Sequence, residues 1–416
     1  LVLGLVEMAG GNAVWEFDPA TRRWIVQSTG PGAGYTALAD FGTYPLDSAQ
    51  DDRANMDGIA EIGVVANGWA RVDNIHGRTV FGPVALPASS GGGPPTIGDF
   101  DGDGRAELAT SGSDSMTIFD PDCVGAPNAT NCPSLQTNGI LWSQPSQDHS
   151  SNITGSSLFD FEGDGPVEVV YADECFVRVY RGADGKVLFS HLPCSCTGNE
   201  NPIVADVDGD YSSELVVLSN ESCGTSPSSM GSTSYEISPN GHPMDPLFAG
   251  LPCQDGADCL SGLCDAGYCR CTDDAECGGN GFVCAPPPSG TAGSGNTCRA
   301  EWLGGIHGVR VYRDAMDRWV GSRAIWNQHA YAISNVEEDG RVPQTSLADL
   351  NWQVAGLNNF RQNIQGNLNP DHSPDLTGGQ GSFGPDCTDG DLALYVRVCN
   401  RGTNPIATGS NVGFFD

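Results

Sequence analysis

The chain has 416 residues and a formal net charge of −33, with 19 Lys and Arg against 52 Asp and Glu. So acidic a chain does not bind nucleic acid by neutralising phosphates, and no apolar run approaches the ~20 residues an α-helical membrane span needs. At 39% hydrophobic it fills a core rather than forming a disordered acidic tail, and 56 Gly and 27 Pro without long helical patterns indicate a turn-rich all-β chain.

In chain order, Leu1-Val-Leu and Arg22-Arg-Trp-Ile-Val26 read as the first short strands. Leu1, not Met, opens the sequence, which fits a processed chain or part of a longer one. Gly32-Ala-Gly34-Tyr-Thr-Ala37 imitates a dinucleotide fingerprint, but it runs into an acidic loop and not a helix, so it is discounted. That loop is split by an insertion: Asp40-Phe-Gly opens it, and Asn55-Met-Asp57-Gly-Ile-Ala-Glu61 closes it before Ile-Gly-Val-Val. Intact copies follow as Asp99-Phe-Asp101-Gly-Asp103-Gly-Arg-Ala-Glu107, Asp160-Phe-Glu162-Gly-Asp164-Gly-Pro-Val-Glu168 and Asp206-Val-Asp208-Gly-Asp210-Tyr-Ser-Ser-Glu214, each running into an apolar strand.

The stride supports a repeat. Asp57 to Asp103 is 46 residues, as is Asp164 to Asp210. Asp103 to Asp164 is 61, the extra length matching an excursion from Cys123 to Gly139 closed by Cys123 and Cys132. Between the loops short strands recur, among them Met116–Phe119, Gly139–Trp142, Val177–Tyr180, Lys186–Phe189, Pro202–Ala205 and Gly308–Tyr312. About four short strands per repeat is the content of one propeller blade. Carboxylates at loop positions 1, 3, 5 and 9 converge only if the chain curls around a point, which Gly at position 4 or 6 permits. Hard oxygen ligands in that number suit Ca²⁺ better than Mg²⁺. A plain β-turn explains one isolated copy as well, but not three intact copies and a split one, each leading into a strand. Asn335-Val-Glu337-Glu-Asp339-Gly340 starts like a fifth loop, but Pro343 stands where the last carboxylate belongs, so a surface turn is the better reading.

These loops and the strand after each resemble the FG-GAP/VCBS repeats of integrin-like, calcium-binding β-propellers, over about residues 1–250 and 301–345. The resemblance implies calcium, about one ion per acidic loop, held by Asp40, Asn55, Asp57 and Glu61; by Asp99, Asp101, Asp103 and Glu107; by Asp160, Glu162, Asp164 and Glu168; and by Asp206, Asp208, Asp210 and Glu214. In the third intact loop Tyr211 replaces the Gly of position 6. Four loops and roughly five blades' worth of strands fall short of the seven blades common in similar propellers. Blades are then missing, or the ring is small, or another chain completes it.

The expected organisation is propeller blades over 1–250, a cysteine-rich disulfide module over 251–300 inserted in a blade, the last propeller strands and a closing segment over 301–366, and a linker with a partial β-sandwich over 367–416. The module holds Cys253, Cys259, Cys264, Cys269, Cys271, Cys277, Cys284 and Cys298. Its spacings lack a paired Cys-x-x-Cys with His, so disulfides are favoured over zinc, and with 105 possible pairings none is assigned. Cys175, Cys194, Cys196 and Cys223 lie between neighbouring strands, where they would pin blades together. The Trp-, Asn- and Gln-rich stretch from Ile325 to Arg361 reads as the closing segment, its buried amides needing partners and its His329 structural rather than catalytic. From Asp391 on, the chain resembles the opening of a CARDB-type immunoglobulin-like adhesion module, with Cys387 and Cys399 as a pair.

Dense cysteines imply export to an oxidising space. The leading expectation is an extracellular or cell-surface bacterial protein, calcium-stabilised and acting in adhesion or as a structural subunit of a fibre. It would self-associate by strand addition or head-to-tail contacts, or bind a surface ligand, without nucleic acid and without a membrane span in this chain. No His-Glu-x-x-His, Gly-x-Ser-x-Gly or Walker loop is present, so it is read as no enzyme. The alternative is an extracellular propeller enzyme acting on polysaccharide or a small molecule, with paired carboxylates concealed among the many acids.

Overall fold

A computed structural model describes residues 20–29, 34–44, 55–125, 138–192, 195–196, 198–210, 212–220, 235–279, 281–304, 306–314, 318–344 and 347–363, with Cys132 and the short terminal strands named below. The all-β expectation holds: helix is 4% of the chain against 37% strand, and the helical residues lie in short 3₁₀ turns. The acidic loops therefore join strands, not helices.

The strands form a run of antiparallel sheets. β1 (Leu3–Leu5), β2 (Ala13–Asp18) and β3 (Arg23–Thr29) make a three-stranded meander. β4 (Tyr35–Ala39), β5 (Glu61–Ala66), β6 (Trp69–Asp73) and β7 (Thr79–Ala85) make a four-stranded one. Two more follow: β8 (Thr96–Gly98), β9 (Glu107–Ser111), β10 (Ser115–Val124) and β11 (Asn138–Pro145), then β12 (Ser157–Phe159), β13 (Glu168–Ala172), β14 (Val177–Tyr180) and β15 (Val187–His191). The next begins with β16 (Ile203–Ala205) and β17 (Glu214–Ser219) and is then interrupted. Among the described residues no sheet closes on itself.

The interruption holds a ribbon of β18 (Glu236–Ile237) and β19 (Pro243–Met244), then the cysteine module with β20 (Cys264–Asp265), β21 (Tyr268–Cys271), β22 (Phe282–Ala285) and β23 (Asn296–Ala300). The sheet resumes with β24 (Gly308–Tyr312), which pairs with β17 from Leu215↔Tyr312 to Ser219↔Gly308. The module is thus inserted within a sheet. Its eight cysteines pair as Cys253–Cys264, Cys259–Cys269, Cys271–Cys284 and Cys277–Cys298, and Cys123–Cys132 closes the earlier excursion. Cys196 is also disulfide-bonded, while Cys194 and Cys223 lie outside the described residues. Cys175 departs from expectation. It is a free, buried thiol, packed in a core with Phe176, Tyr171 and Phe248, whose described neighbouring cysteines Cys123 and Cys132 are paired with each other.

Why these strands read as apolar runs and not as alternating patterns follows from the packing. Neighbouring sheets stack face to face, so a middle strand is covered on both sides. On β13, Val169 joins a core with Met116, Leu141 and Trp142 of the preceding sheet, while its neighbour Val170 faces Val204, Leu215 and Val217 of the following one. The sheets approach closely: a Cβ at Gly63 of β5 would stand 2.6 Å from Leu108 Cδ1 of β9. The core is therefore a series of slabs between sheets.

The first strands β4, β8, β12 and β16 neighbour one another in that order. The segment after Leu357 runs across all four. The Asn358 amide accepts from Asp40 N at 2.8 Å and donates to Asp40 O at 2.7 Å. Phe360 bridges Ile97 of β8, Leu158 N of β12 donates to Arg361 O, and Asn363 Nδ2 donates to Val204 O of β16 at 2.8 Å. Arg361 is buried, and its guanidinium donates to Ser156 O at 2.8 Å and Ser157 Oγ at 2.9 Å. This segment is a cord along the first strands of the four sheets. His329 accepts or donates to Asn201 there, and burial together with the Arg361 charge lowers its pKa. Residues 337–341 form the expected surface turn, with Glu337 N donating to Arg341 O.

In the C-terminal part β25 (Leu376–Gly378) pairs with β28 (Val398–Asn400), and β26 (Ser382–Phe383) with β27 (Leu394–Tyr395). The Cys387–Cys399 pairing lies outside the described residues.

Asn363 also donates to Arg323 O at 2.9 Å. Asn363→Ala removes the hydrogen bonds to Val204 O and Arg323 O and the one accepted from the Tyr331 hydroxyl, at about 0.5–1.5 kcal/mol each. Chemical denaturation should show a loss of about 2–4 kcal/mol; an unchanged midpoint would show that the cord does not tie the sheets.

Candidate metal centres

Each acidic loop leaves the first strand of a sheet and returns into the second. Its turn is built from side chain to backbone. In the loop from Asp99, Gly102 N donates to Asp99 Oδ1 at 2.8 Å and Gly104 N to Asp99 Oδ2 at 2.9 Å. Asp101 Oδ1 accepts from Asp103 N and Asp103 Oδ1 from Arg105 N. Gly102 and Gly104 have φ of +82° and +83°, a region costly for other residues. The loop is then closed by Phe100 N donating to Glu107 Oε2 at 2.9 Å.

The same closure recurs in the other three loops. Phe161 N donates to Glu168 Oε2 at 3.1 Å and Val207 N to Glu214 Oε2 at 2.8 Å. In the split loop Phe41 N donates to Glu61 Oε2 at 2.9 Å, and Gly58 N reaches Asp40 Oδ2 at 2.7 Å across the insertion. The two halves read from sequence are therefore one loop in space.

The closures leave carboxylate oxygens facing one another. Asp99, Asp101 and Glu107 each offer an oxygen within 4.8 Å of the others, and so do Asp160, Glu162 and Glu168. Glu107 Oε1, Asp101 Oδ2 and Glu214 Oε1 are buried without a hydrogen-bond partner, an arrangement native proteins avoid unless something else satisfies the atom. Asp103, Asp164, Asp208 and Asp210 lie near enough to act electrostatically on those groups. Asp57 acts likewise on Glu61. Asn55 is exposed, and its carbonyl accepts from Thr43 Oγ1. Asp206 accepts from Gly209 N at 2.7 Å, while Tyr211 lies outside the described residues.

Burial without a counter-ion raises the carboxyl pKa values. Glu61 is pushed up to about 9 by burial, with Asp40 and Asp57 adding to it. Asp101 is pushed up to about 7 by burial and by the charges of Asp103 and Asp120. Burial also raises Glu107 and Glu168. Asp120 of β10, outside the loop pattern, is itself buried. Nothing local in the sequence marks it; only the strand register brings it to Glu107.

No protein-family model matches the chain, and no curated protein matches it. Among solved structures, the Vibrio cholerae biofilm matrix protein Bap1 is 16% identical with a TM-score of 0.36, over 85% of this chain and 42% of that one. A protein of unknown function from Bacteroides caccae is 16% identical with a TM-score of 0.26, over 61% of this chain and 79% of that one. The chain thus spans less than half the length of the Bap1 structure.

The raised pKa values fix a sign. A folded chain that holds protons its unfolded form has released is most stable below the ordinary carboxylate range, near pH 4.5 for Glu. It loses that stability as pH rises through about 7 for Asp101 and about 9 for Glu61. Metal-free protein, followed by urea denaturation in EDTA, should therefore weaken from pH 5 to 9. Saturating Ca²⁺ should abolish the decline; a flat metal-free profile would contradict the assignment.

Proposed function

We propose that the chain is an extracellular β-propeller protein, stabilised by calcium and serving a structural or adhesive role. The observation that carries the reading is the repeated loop closure, which buries carboxylates in four successive sheets and leaves oxygens such as Glu107 Oε1 without a partner. A hard cation suits such a donor set. Asp99, Asp101, Asp103 and Glu107 would hold it in one loop, with their counterparts from Asp40, Asp160 and Asp206 in the others. The ion would neutralise crowded acids and hold each loop curled. Four such ions would offset 8 of the 33 net negative charges.

A wheel of blades is supported by the succession of face-packed antiparallel sheets, with β4, β8, β12 and β16 side by side and one cord across them. Export is supported by the five described disulfides, since such bonds persist in oxidising compartments. No helix is long and apolar enough to cross a membrane.

Self-association is supported by one edge. Among the described residues, the sheet of β16, β17 and β24 has three strands where the three sheets just before it have four. Its outer strand β24 exposes Val309 and Val311, 65% and 50% accessible. An open edge with exposed valines is a template for strand addition. Size-exclusion chromatography with light scattering should show concentration-dependent oligomers that Val311→Lys suppresses; a strictly monodisperse monomer would remove the assembly reading.

Chelation tests the calcium reading directly. A ligand present at 100 times its Kd adds about 2.7 kcal/mol per site. Calorimetry should show a melting temperature at least ~5 °C lower in EDTA than in millimolar Ca²⁺. An unchanged transition would overturn calcium stabilisation.

A further inference from the structure

The four loops differ in a residue outside the loop pattern. In an antiparallel pair, residues directly opposite share a face of the sheet. The strand after each closing glutamate therefore places one side chain beside it. Ile62 is opposite Asp73, which sets Asn74 against Glu61. Leu108 is opposite Phe119, which sets Asp120 against Glu107. Val169 opposite Tyr180 sets Arg181 against Glu168, and Leu215 opposite Tyr312 sets Arg313 against Glu214. The facing residues are thus an asparagine, an aspartate and two arginines, of which Arg181 also donates to Asp184 Oδ1 at 2.8 Å.

The Asp120 site is unlike the rest. Glu107 is 0% and Asp120 1% exposed, and like charges directly opposite on a sheet repel. Asp120 acts on Glu107 more strongly than any other charge does, and on Asp101 second only to Asp103. Glu107 Oε1 and Asp101 Oδ2 are both buried and unpartnered here. Asp120 Oδ1 is held by Asp122 N at 2.7 Å, and its Oδ2 lies 3.0 Å from Cys123 Sγ, whose bond to Cys132 fixes the chain just beyond. In the fourth loop, by contrast, Arg313 stands 4.0 Å from Asp208 and competes with a cation for it.

Resting on the calcium reading above, we propose that the loop from Asp99 to Glu107 is the protein's tightest divalent-cation site. Asp120 of β10 is an additional carboxylate of that site, supplied from outside the loop. The loops opposite Arg181 and Arg313 bind more weakly. The facing residue grades four otherwise similar sites, so falling calcium empties the arginine-faced loops first and the Asp120 loop last.

Isothermal titration of the whole, metal-stripped chain with Ca²⁺ tests this, with Tb³⁺ luminescence as a second probe. Wild type should show more than one affinity class. Asp120→Asn should weaken the tightest class at least tenfold, whereas Asp164→Asn, in the next loop, should leave it intact. An unchanged tightest class in Asp120→Asn overturns the role of Asp120 while leaving the calcium reading standing. No binding to wild type overturns both. Should Asp120→Asn fail to fold, Arg313→Asp supplies the same test at an exposed position, 58% accessible. It should tighten the weakest class at least tenfold, and an unaltered weakest class would overturn the grading.

Discussion

The constraint on which this structure depends is the carboxylate that closes each acidic loop. One oxygen of Glu61, Glu107, Glu168 or Glu214 takes the backbone amide of the residue after the loop's first aspartate. That bond fixes the entry of the second strand relative to the first, and so the start of the sheet. The other oxygen of Glu107 and of Glu214 is left buried without a partner, where an uncompensated carboxylate is costly. The fold thus crowds carboxylates together at four points, which the proposed cation would neutralise. Structure and proposed ligand are two sides of one arrangement.

From that closure the rest follows outward. Sheets that begin alike stack alike, and stacking covers both faces of the middle strands. Only small residues at points such as Gly63 let the sheets come close enough for Leu108 to fill the gap. The polar cord from Asn358 to Asn363 then supplies hydrogen bonds to the first strands of these sheets, whose free edges no other described strand pairs. Arg361 lies buried in that cord with carbonyls, a hydroxyl and the Trp326 ring around it. Desolvation pulls its pKa down to about 10, still well above neutrality.

The cysteine module is fastened to this frame by a buried ion cluster as well as by its chain ends. Arg178 of β14 is fully buried between Asp173 and Asp245, at 2.5 and 2.6 Å, and Ser190 also donates to Asp245. Asp245 O takes Arg299 from β23. A buried pair of this kind adds little net stability but penalises misplacement strongly. It therefore specifies how the module sits against the third four-stranded sheet, with Phe248 and Ala300 packed into the same core.

What is local could be read from the residues alone. The carboxylates of an intact loop span nine residues, so the intact loops and even the split one are legible from spacing. So are the strand after each loop, the Cys123–Cys132 closure, and the module's insertion before β24. What depends on distant residues meeting was decided only by the tertiary structure. The four pairings within the module, the free thiol of Cys175, the ion pair of Arg178 with Asp245 and the path of the cord are of this kind. Asp120 is the sharpest case: it lies 13 residues beyond Glu107 with no pattern to mark it. Strand register alone carries it to the loop, because pairing across a sheet is set by turns and packing, which nearest-neighbour spacing does not encode.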